Sequence, residues 1–399
     1  MSFLGNDAIN RVNLHATIQA LAQGVGGVFV FVYLLKAGVA APWVLCTLAG
    51  MTAGRFALRP LVLVVTRRRG LRDSLMLGTF LEAAIFLLLP SVHGPGLMLL
   101  LVIAVSALGS VFYWTSLHAY TALLGDAEHR GRQISVGAAA TAVVNILAPW
   151  AGGWALATLG PVATFGLVAV LQVGAIAPLI GAPSPRVAET ARIGWREARL
   201  AVVLQAADGW FGAGFEYVWQ IALFVTLGEH FASYGGAMAL AGLVGAAASL
   251  AVGRLIDLGH ARIWVFVAYA ACAVVIVLKA ASLASPALAV AANALATVAG
   301  LLLQPVMMAR VYNLAKASPC PLRFHMATEG GWDVGCCAGC LTAAALSAAG
   351  VPLSASILLA LAGASVGLWL LSRSYASLEE NLAGPAGSAR AVDPPVEST

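Results

Sequence analysis

The chain has 399 residues, of which 61% are hydrophobic and only 10% are charged, and its mean hydropathy is +0.90. Soluble domains carry roughly a quarter of their residues as charges, so this composition excludes a soluble globular protein and predicts an integral membrane protein. The formal net charge of +5 would suggest nucleic-acid binding in a soluble protein. In a membrane chain the placement of the charges matters more than their sum, and we expect contact with lipid and not with nucleic acid.

Apolar runs of helical length recur along the whole chain. A bilayer core of about 30 Å needs roughly 20 apolar residues for each helical span, and the sequence contains about twelve such runs. They lie approximately at residues 13–36, 41–66, 73–91, 95–121, 133–158, 161–182, 200–227, 232–256, 262–282, 286–313, 325–349 and 353–373. Only helices and closed barrels satisfy the backbone in lipid, and no run has the character of strands. The sequence therefore predicts an all-α membrane protein with about twelve transmembrane helices.

Basic residues divide the gaps between the runs into two groups. The odd-numbered gaps contain only Lys36 and Lys279, whereas the even-numbered gaps and the two ends contain nearly all of the arginines. The positive-inside rule then predicts that both termini are cytoplasmic and that the number of spans is even. Lysine is rare while arginine and alanine are plentiful, which suggests a GC-rich bacterial source. We expect a multi-pass protein of the bacterial cytoplasmic membrane.

The longest central break in the apolar pattern divides the chain into two halves. Residues 183–199 are rich in proline and charge and are predicted to be a cytoplasmic linker. The flanking segments, 1–182 and 200–376, each contain about six spans and predict two six-helix bundles, an arrangement known in transporters. Residues 377–399 are polar, contain several prolines and are predicted to be a disordered tail.

The stretch GRLIDLGHAR, residues 253–262, connects the eighth and ninth runs. It resembles a loop motif of the major facilitator superfamily, which has the form G-x-x-x-D-R/K-x-G-R/K-R/K after the second span and again after the eighth. Gly253, Asp257 and Arg262 occupy three of the motif positions, and Gly259 comes one place early. The corresponding stretch after the second run is weaker.

That weaker stretch is LVVTRRRGLR at residues 63–72. It keeps Arg68, Gly70 and Arg72 but has leucine for the first glycine of the motif and arginine for its aspartate. This departure leaves the first half without the aspartate that the family uses there.

Two further stretches are similar to sequences of the same family. Residues 126–132, DAEHRGR, fall between the fourth and fifth runs, where the family often has an acidic residue followed by R-G-R/K. Residues 148–153, APWAGG, resemble the core G-P-x-x-G-G of a fifth-span motif found in many antiporters, with alanine for its first glycine. The resemblance implies two pseudo-symmetric bundles around one central cavity that opens alternately to either side. It also implies that spans one, four, seven and ten chiefly line this cavity.

Ionisable residues at bilayer depth are costly and are functional candidates by default. Arg55 and Arg59 are four residues apart in the second span and share a face, as do Glu329 and Asp333 in the eleventh. Glu82, in the third span, lies at a depth between those of the two arginines. These five residues are candidates for ion pairs or for a gate, and the sequence allows three alternatives. Glu82 could neutralise the arginines, or the arginines could pair with Glu329 and Asp333 between the two halves. In the third alternative the arginines bind an anion in the cavity.

The seventh span carries two carboxylates, Asp208 and Glu216. Desolvation disfavours the charged form of a carboxylate, so both are candidates for proton coupling, with Glu216 as the first choice. The alternative is that each simply pairs with a neighbouring polar helix.

Polar and aromatic side chains on the spans expected to line the cavity are candidates for substrate contact. Their mixture of amides and aromatic rings suits a small planar or amphipathic organic solute, although packing against lipid or another helix is the alternative for each ring. They are Gln19, Gln23, Tyr113, Trp114, Thr115, His118, Gln220, Asn293 and Gln304.

Cys336, Cys337 and Cys340 form the most cysteine-rich stretch, GCCAGC. Soft-metal binding is one reading of such a cluster, but small residues at a helix crossing are the better explanation, so no metal and no cofactor is expected. No phosphate-binding loop is present and no nucleophile and base converge, which argues against ATP-driven transport and against an enzyme. The sequence predicts a monomeric secondary transporter of a small organic solute and protons. Export is slightly favoured over uptake, and a non-transporting receptor or assembly factor is the alternative of another class.

Overall fold

A computed structural model of the chain describes residues 7–124, 130–186, 194–256 and 261–383. All regular secondary structure in these ranges is helical, and they contain no strand. Nine helical stretches of the described residues are long and apolar enough to cross a membrane by length and composition. The prediction of an all-α membrane protein is confirmed.

Twelve helical segments follow one another in the described residues, in agreement with the predicted number, and we label them α1–α12. They are α1 Asp7–Lys36, α2 Ala41–Arg69, α3 Leu71–Leu88, α4 Leu97–Leu124, α5 Arg130–Thr158, α6 Gly160–Gly174, α7 Trp195–Gly212 with its continuations Ala213–Val218 and Trp219–Thr226, α8 Phe231–Ile256, α9 Ala261–Ala281, α10 Pro286–Ala317, α11 Pro321–Ala348, and α12 Leu353–Leu358 with its continuation Ala360–Ala383.

Several helix boundaries differ from those predicted by hydropathy. The first helix begins at Asp7, and α7 begins at Trp195, inside the stretch predicted as a linker. The last helix continues to Ala383, seven residues into the stretch predicted to be a tail. These extensions, WREAR and SLEENLA, are rich in residues with high helix propensity. A hydropathy window detects the lipid-facing part of a helix and misses such polar ends.

Contacts between segment ends place the starts of α1 and α3 at the same end of the molecule as the segment that follows α6. The Arg11 guanidinium of α1 donates a hydrogen bond to the Ile180 carbonyl at 2.9 Å, and Arg72 at the start of α3 donates one to the Ala182 carbonyl at 2.8 Å. These residues define what we call the basic end of the molecule. At the other end, the opposite end, Lys36 of α1 and Glu229 after α7 form an ion pair at 3.8 Å.

Small residues allow some helices to pack backbone against backbone. The helix α2 packs along α11, α5 along α8, and α7 along α11. A methyl group added at Gly153 of α5 would lie 2.5 Å from the Phe231 carbonyl oxygen of α8, and one added at Gly335 of α11 would overlap the Ala206 carbonyl of α7. Close approach of this kind is the usual way in which membrane helices associate.

Candidate functional site

Two arginines of α2 and two carboxylates of α11 form one charged network. Arg59 Nη1 donates to Glu329 Oε2 at 2.5 Å, and Arg59 Nη2 pairs with Asp333 Oδ2. Arg55 Nε donates to Asp333 Oδ1 at 2.5 Å. Thr115 of α4 adds a hydrogen bond to Glu329 at 3.2 Å. The network is neutral in sum and links three helices.

The same spacing on both helices produces this arrangement. Arg55 and Arg59 are one helical turn apart, as are Glu329 and Asp333, so each pair projects from one face of its helix. The structure thus places the arginines against α11, as in the second of the three readings of the sequence. Glu82 makes no ion pair with either arginine within 4 Å among the described residues.

Trp332 connects this network to α7 and α1. The Arg55 guanidinium lies 5.1 Å from the centroid of the Trp332 ring, within the range of a cation–π contact. Tyr217 of α7 meets the same ring edge-on at 6.5 Å, and Phe31 of α1 meets Tyr217 at 5.8 Å. A displacement of α2 relative to α11 therefore changes contacts on α7 as well.

A cavity of about 190 Å³ lies beside this network. Its wall combines one cation, one carboxyl group, one amide group, several hydroxyl groups and four aromatic rings. The lining residues that matter for chemistry are Gln23, Thr52, Arg55, Glu82, Tyr217 and Trp332. The mixed wall is typical of sites for small organic solutes with a polar or charged group, whereas the volume is smaller than the roughly 300–1,000 Å³ of most ligand pockets.

Glu82 of α3 is 5% exposed and is surrounded by glutamine side chains. Its Oε2 atom accepts hydrogen bonds from the Nε2 atoms of Gln19 at 2.5 Å, Gln172 at 2.8 Å and Gln23 at 3.3 Å. Sequence reasoning did not identify Gln172, which is in α6 and 90 positions along the chain from Glu82. A glutamine in an apolar run of α6 was the available signal.

The carboxylates of α7 lie in two different settings. Asp208 is half-buried and close to Trp332. Glu216 is exposed and lies in a π-helical turn, Ala213–Val218. Turns of this kind are rare and are often found at functional sites.

Lys279 was expected in a gap between spans, and the structure corrects this. Its side chain is only 2% exposed, and its Nζ donates to the carbonyl oxygen of Phe215 in the π-helical turn at 2.7 Å. The ammonium also lies 3.8 Å from the centroid of the Phe215 ring. The lysine therefore binds the irregular part of α7 from within the protein, because its long stem lets the charge reach a polar partner.

The predicted substrate contacts are distributed over several places. Gln23 lines the cavity, and Gln19 and Thr115 contribute to the two polar clusters described above. Asn293 of α10 accepts a hydrogen bond from Trp219 Nε1 at 2.9 Å and donates one to the Ala237 carbonyl at 3.3 Å, so it joins three helices. The remaining five do not line this cavity: Tyr113 is buried, Gln220 is half-buried, and Trp114, His118 and Gln304 are exposed.

The motif stretches occupy helix ends at the basic end of the molecule. Gly70 ends α2 with φ of 91°, a left-handed conformation that favours glycine. The next residue, Leu71, donates its backbone N–H to the Pro185 carbonyl at 3.0 Å, and Arg72 contacts Ala182, whereas Arg68 is exposed. The turn thus holds the segment that follows α6.

The second copy of the motif is only partly described. Gly253 is in α8 and Arg262 in α9, whereas Asp257 and Gly259 lie outside the described residues. Of the stretch at 126–132, the described residues begin at Arg130, the first residue of α5. In the stretch at 148–153, Gly152 and Gly153 pack against the carbonyl groups of Val25 and Phe231.

A bundle of twelve helical segments with a polar cavity and a charged network between helices is the architecture of a membrane transport protein. The family model described as Major Facilitator Superfamily matches residues 9–319, which is most of the chain. The chain therefore belongs to the major facilitator superfamily, and it is a secondary transporter and not an enzyme.

Solved structures of transporters share this fold at low sequence identity. The POT family transporter PepTSo superposes with a TM-score of 0.73 at 11% identity, covering 93% of this chain and 98% of that one. The human organic anion transporter MFSD10 gives 0.67 at 15% identity, with 92% and 99% covered. The nucleoside transporter NupG, as a mutant, gives 0.66 at 12% identity, with 93% and 99% covered. No curated protein matches the sequence.

Proposed function

We propose that the chain transports a small organic solute by alternating access and couples this movement to protons. The observation that carries the proposal is the cavity bordered by the Arg55–Asp333 contact, where one wall group also belongs to the link between α2 and α11. A solute that enters this cavity reaches Arg55 directly. Substrate binding and the pairing of the two helices therefore act on the same side chain.

The Arg55, Arg59, Glu329 and Asp333 network is the gate in this proposal. An ion pair shielded from water is stable while both partners are in place, and removing one partner alone is costly. The two helices should therefore be either fully paired or fully separated, because a half-broken network is unfavourable. An anionic group on the solute competes with Asp333 for Arg55, because guanidinium binds carboxylate and phosphate groups with two parallel hydrogen bonds. The proposal therefore favours solutes with an anionic group.

Protons enter through Glu216 and Asp208 in this scheme. Both carboxylates belong to α7, and Asp208 lies close to Trp332, which also contacts Arg55. Uptake or release of a proton at Asp208 changes the charge beside the gate. This position supports a coupling role.

The orientation of the protein in the membrane and the direction of transport are inferred from the sequence. The basic end carries Arg11 and the arginines around Gly70, so the positive-inside rule assigns it to the cytoplasm. We infer two six-helix bundles, residues 1–182 and 200–376, in a bacterial inner membrane, with one copy of the chain as the working unit. The likeness of residues 148–153 to the antiporter motif favours export over uptake.

Solute flux into proteoliposomes tests the proposal. The purified protein is reconstituted, and uptake of labelled peptides, nucleosides and organic anions is followed with and without an imposed pH gradient. We expect accumulation of at least one organic anion only when the gradient is present. Equal flux with and without the pH gradient would contradict proton coupling. Absence of flux for every compound tested would contradict the proposed substrate class.

A further inference from the structure

Glu82 has an unusual set of neighbours for a carboxyl group at bilayer depth. Three glutamine amides from two other helices surround it, and all three donate to the same carboxylate oxygen. A carboxylate whose role is to neutralise a cation would be expected to contact one. Here the described residues place no arginine, lysine or histidine within ion-pair distance of Glu82.

Glutamine suits a partner that changes its charge. An ionised carboxylate only accepts hydrogen bonds, whereas a protonated one also needs an acceptor for its O–H group. An amide offers both functions, with an NH₂ donor and a carbonyl acceptor on the same carbon. A permanently charged partner such as arginine would stabilise the ionised form of the carboxyl group and disfavour its protonated form.

Two acceptors beside Glu82 are unused. The Oε1 atoms of Gln19 and Gln172 are buried and have no hydrogen-bond partner among the described residues. Buried polar atoms of this kind are uncommon, and each calls for an explanation. Rotation of either amide by a half turn would direct its oxygen at Glu82 and satisfy both it and a carboxylic O–H group.

We propose that Glu82, enclosed by Gln19, Gln23 and Gln172, is a proton-binding site in the first half of the chain, in addition to the carboxylates of α7. The proton comes from water in the adjoining cavity and bonds to a carboxylate oxygen. One glutamine amide rotates and accepts the new O–H hydrogen bond. Release reverses these steps. The link between this site and solute movement rests on the transport function proposed above, whereas proton binding itself does not.

The groups facing Glu82 connect it to the gate. Helices α1 and α6 present the glutamines, α4 presents Tyr113, and α2 presents Arg55. Arg55 and Glu82 line the same cavity, and Arg55 is bound to Asp333 in this structure. When the α2–α11 contact opens, an ionised Glu82, which lines the same cavity, offers Arg55 an alternative partner, whereas a protonated Glu82 does not. Protonation of Glu82 would thus favour pairing of Arg55 with Asp333, and ionisation of Glu82 would favour pairing of Arg55 with Glu82.

Infrared difference spectroscopy on the full-length protein in lipid vesicles tests proton binding directly. Spectra recorded across a pH titration show the carbonyl stretch of each carboxylic acid that loses its proton. We expect one such band to be absent in Glu82→Gln and present in the matched variant Glu229→Gln, whose carboxyl group lies on the surface at the opposite end. Identical difference spectra for wild type and Glu82→Gln would overturn the proposal.

A second variant keeps the test independent of any misfolding of Glu82→Gln. In Gln172→Leu the carboxyl group remains but loses one hydrogen-bond partner, so its band should change frequency. Gln220→Leu, on α7, should leave the band in place. If the frequency of the band is the same in Gln172→Leu as in the wild type, Gln172 does not contact the protonated group, and the proposal is overturned.

Transport assays then separate proton binding from coupling. In Glu82→Gln we expect solute exchange to continue while gradient-driven accumulation falls at least tenfold. Loss of flux in the wild type would defeat the transport function but leave the infrared result standing. Full accumulation by Glu82→Gln would overturn the coupling role of this site.

Discussion

Asp333 holds both arginines of α2 and is itself fully buried. One carboxylate with two guanidinium partners can form several charge-assisted hydrogen bonds, which are the stronger kind. Glu329 pairs with Arg59 but, among the described residues, not with Arg55, and it is more exposed. The two acidic residues of α11 are therefore not equivalent, although the sequence presents them as a matched pair.

Replacing Asp333 with asparagine should destabilise the protein markedly. The change leaves Arg55 and much of Arg59 without a counter-charge, and breaking one side of a buried pair costs about 3–5 kcal/mol. Thermal unfolding in detergent measures the effect. Asp73→Asn is the control, because the Asp73–Arg72 pair is partly exposed and pairs of that kind contribute about 0–1 kcal/mol. Equal melting temperatures for the two variants would contradict this assignment.

Arg59→Lys should also weaken the α2–α11 contact, although it preserves the charge. Arg59 reaches Glu329 with one terminal nitrogen and Asp333 with the other, and a lysine ammonium is a single point on a flexible stem. We expect a lower melting temperature than for Arg68→Lys, an exposed arginine in the last turn of the same helix. An unchanged melting temperature for Arg59→Lys would show that a positive charge alone, without the guanidinium geometry, is sufficient for the α2–α11 contact.

At the scale of whole helices, glycine positions determine how closely α7 and α11 approach. The backbones of Gly209 in α7 and of Gly331 and Gly335 in α11 each lie against a carbonyl group of the facing helix. A side chain at any of these positions would separate the two helices. Since α11 also carries the gate carboxylates and α7 the proposed proton carriers, their separation would move both sets of residues.

Gly335→Ala should destabilise the protein, and Gly300→Ala should not. The added methyl group at Gly335 overlaps the Ala206 carbonyl, and overpacking costs about 1–3 kcal/mol. At Gly300 in α10 nothing lies within 4 Å of an added methyl group, and alanine favours a helix by roughly 0.5–1 kcal/mol. Melting curves in detergent compare the two. A stable Gly335→Ala protein would mean that α11 can move away from α7 at little cost.

The sequence predicted contacts within a helix better than contacts between helices. The spacing of Arg55 and Arg59 showed that they share a face, but three partners remained open because periodicity does not identify the neighbouring helix. The contact of Lys279 with Phe215 joins residues 64 positions apart and depends on a π-helical turn that no sequence rule predicts. Hydropathy gave the number of helices, whereas the glutamine enclosure of Glu82 depends on how those helices pack.

At the scale of the molecule, the opposite end is closed by contacts between α1 and the later helices. Phe29 meets the ring of Tyr234 at 5.6 Å and that of Phe231 at 6.3 Å, while Lys36 and Glu229 pair above them. In the proposed alternating-access mechanism this end opens once in every cycle. The ion pair is about half exposed, so it adds little stability and does not by itself hold the end closed.

A covalent link across the opposite end should therefore stop transport. In a background with the six native cysteines replaced by serine, Lys36→Cys and Glu229→Cys are joined by a short thiol-reactive cross-linker, since the native side chains approach to 3.8 Å. We expect solute flux in proteoliposomes to fall to the background level after cross-linking. Each single-cysteine variant, treated in the same way, should retain its flux. The linked protein should melt no lower than the same double-cysteine protein before cross-linking, because the link adds a connection and removes no contact. Undiminished flux in the linked protein would mean that α1 and the end of α7 do not separate during transport, and the opening would then have to be sought elsewhere in the bundle.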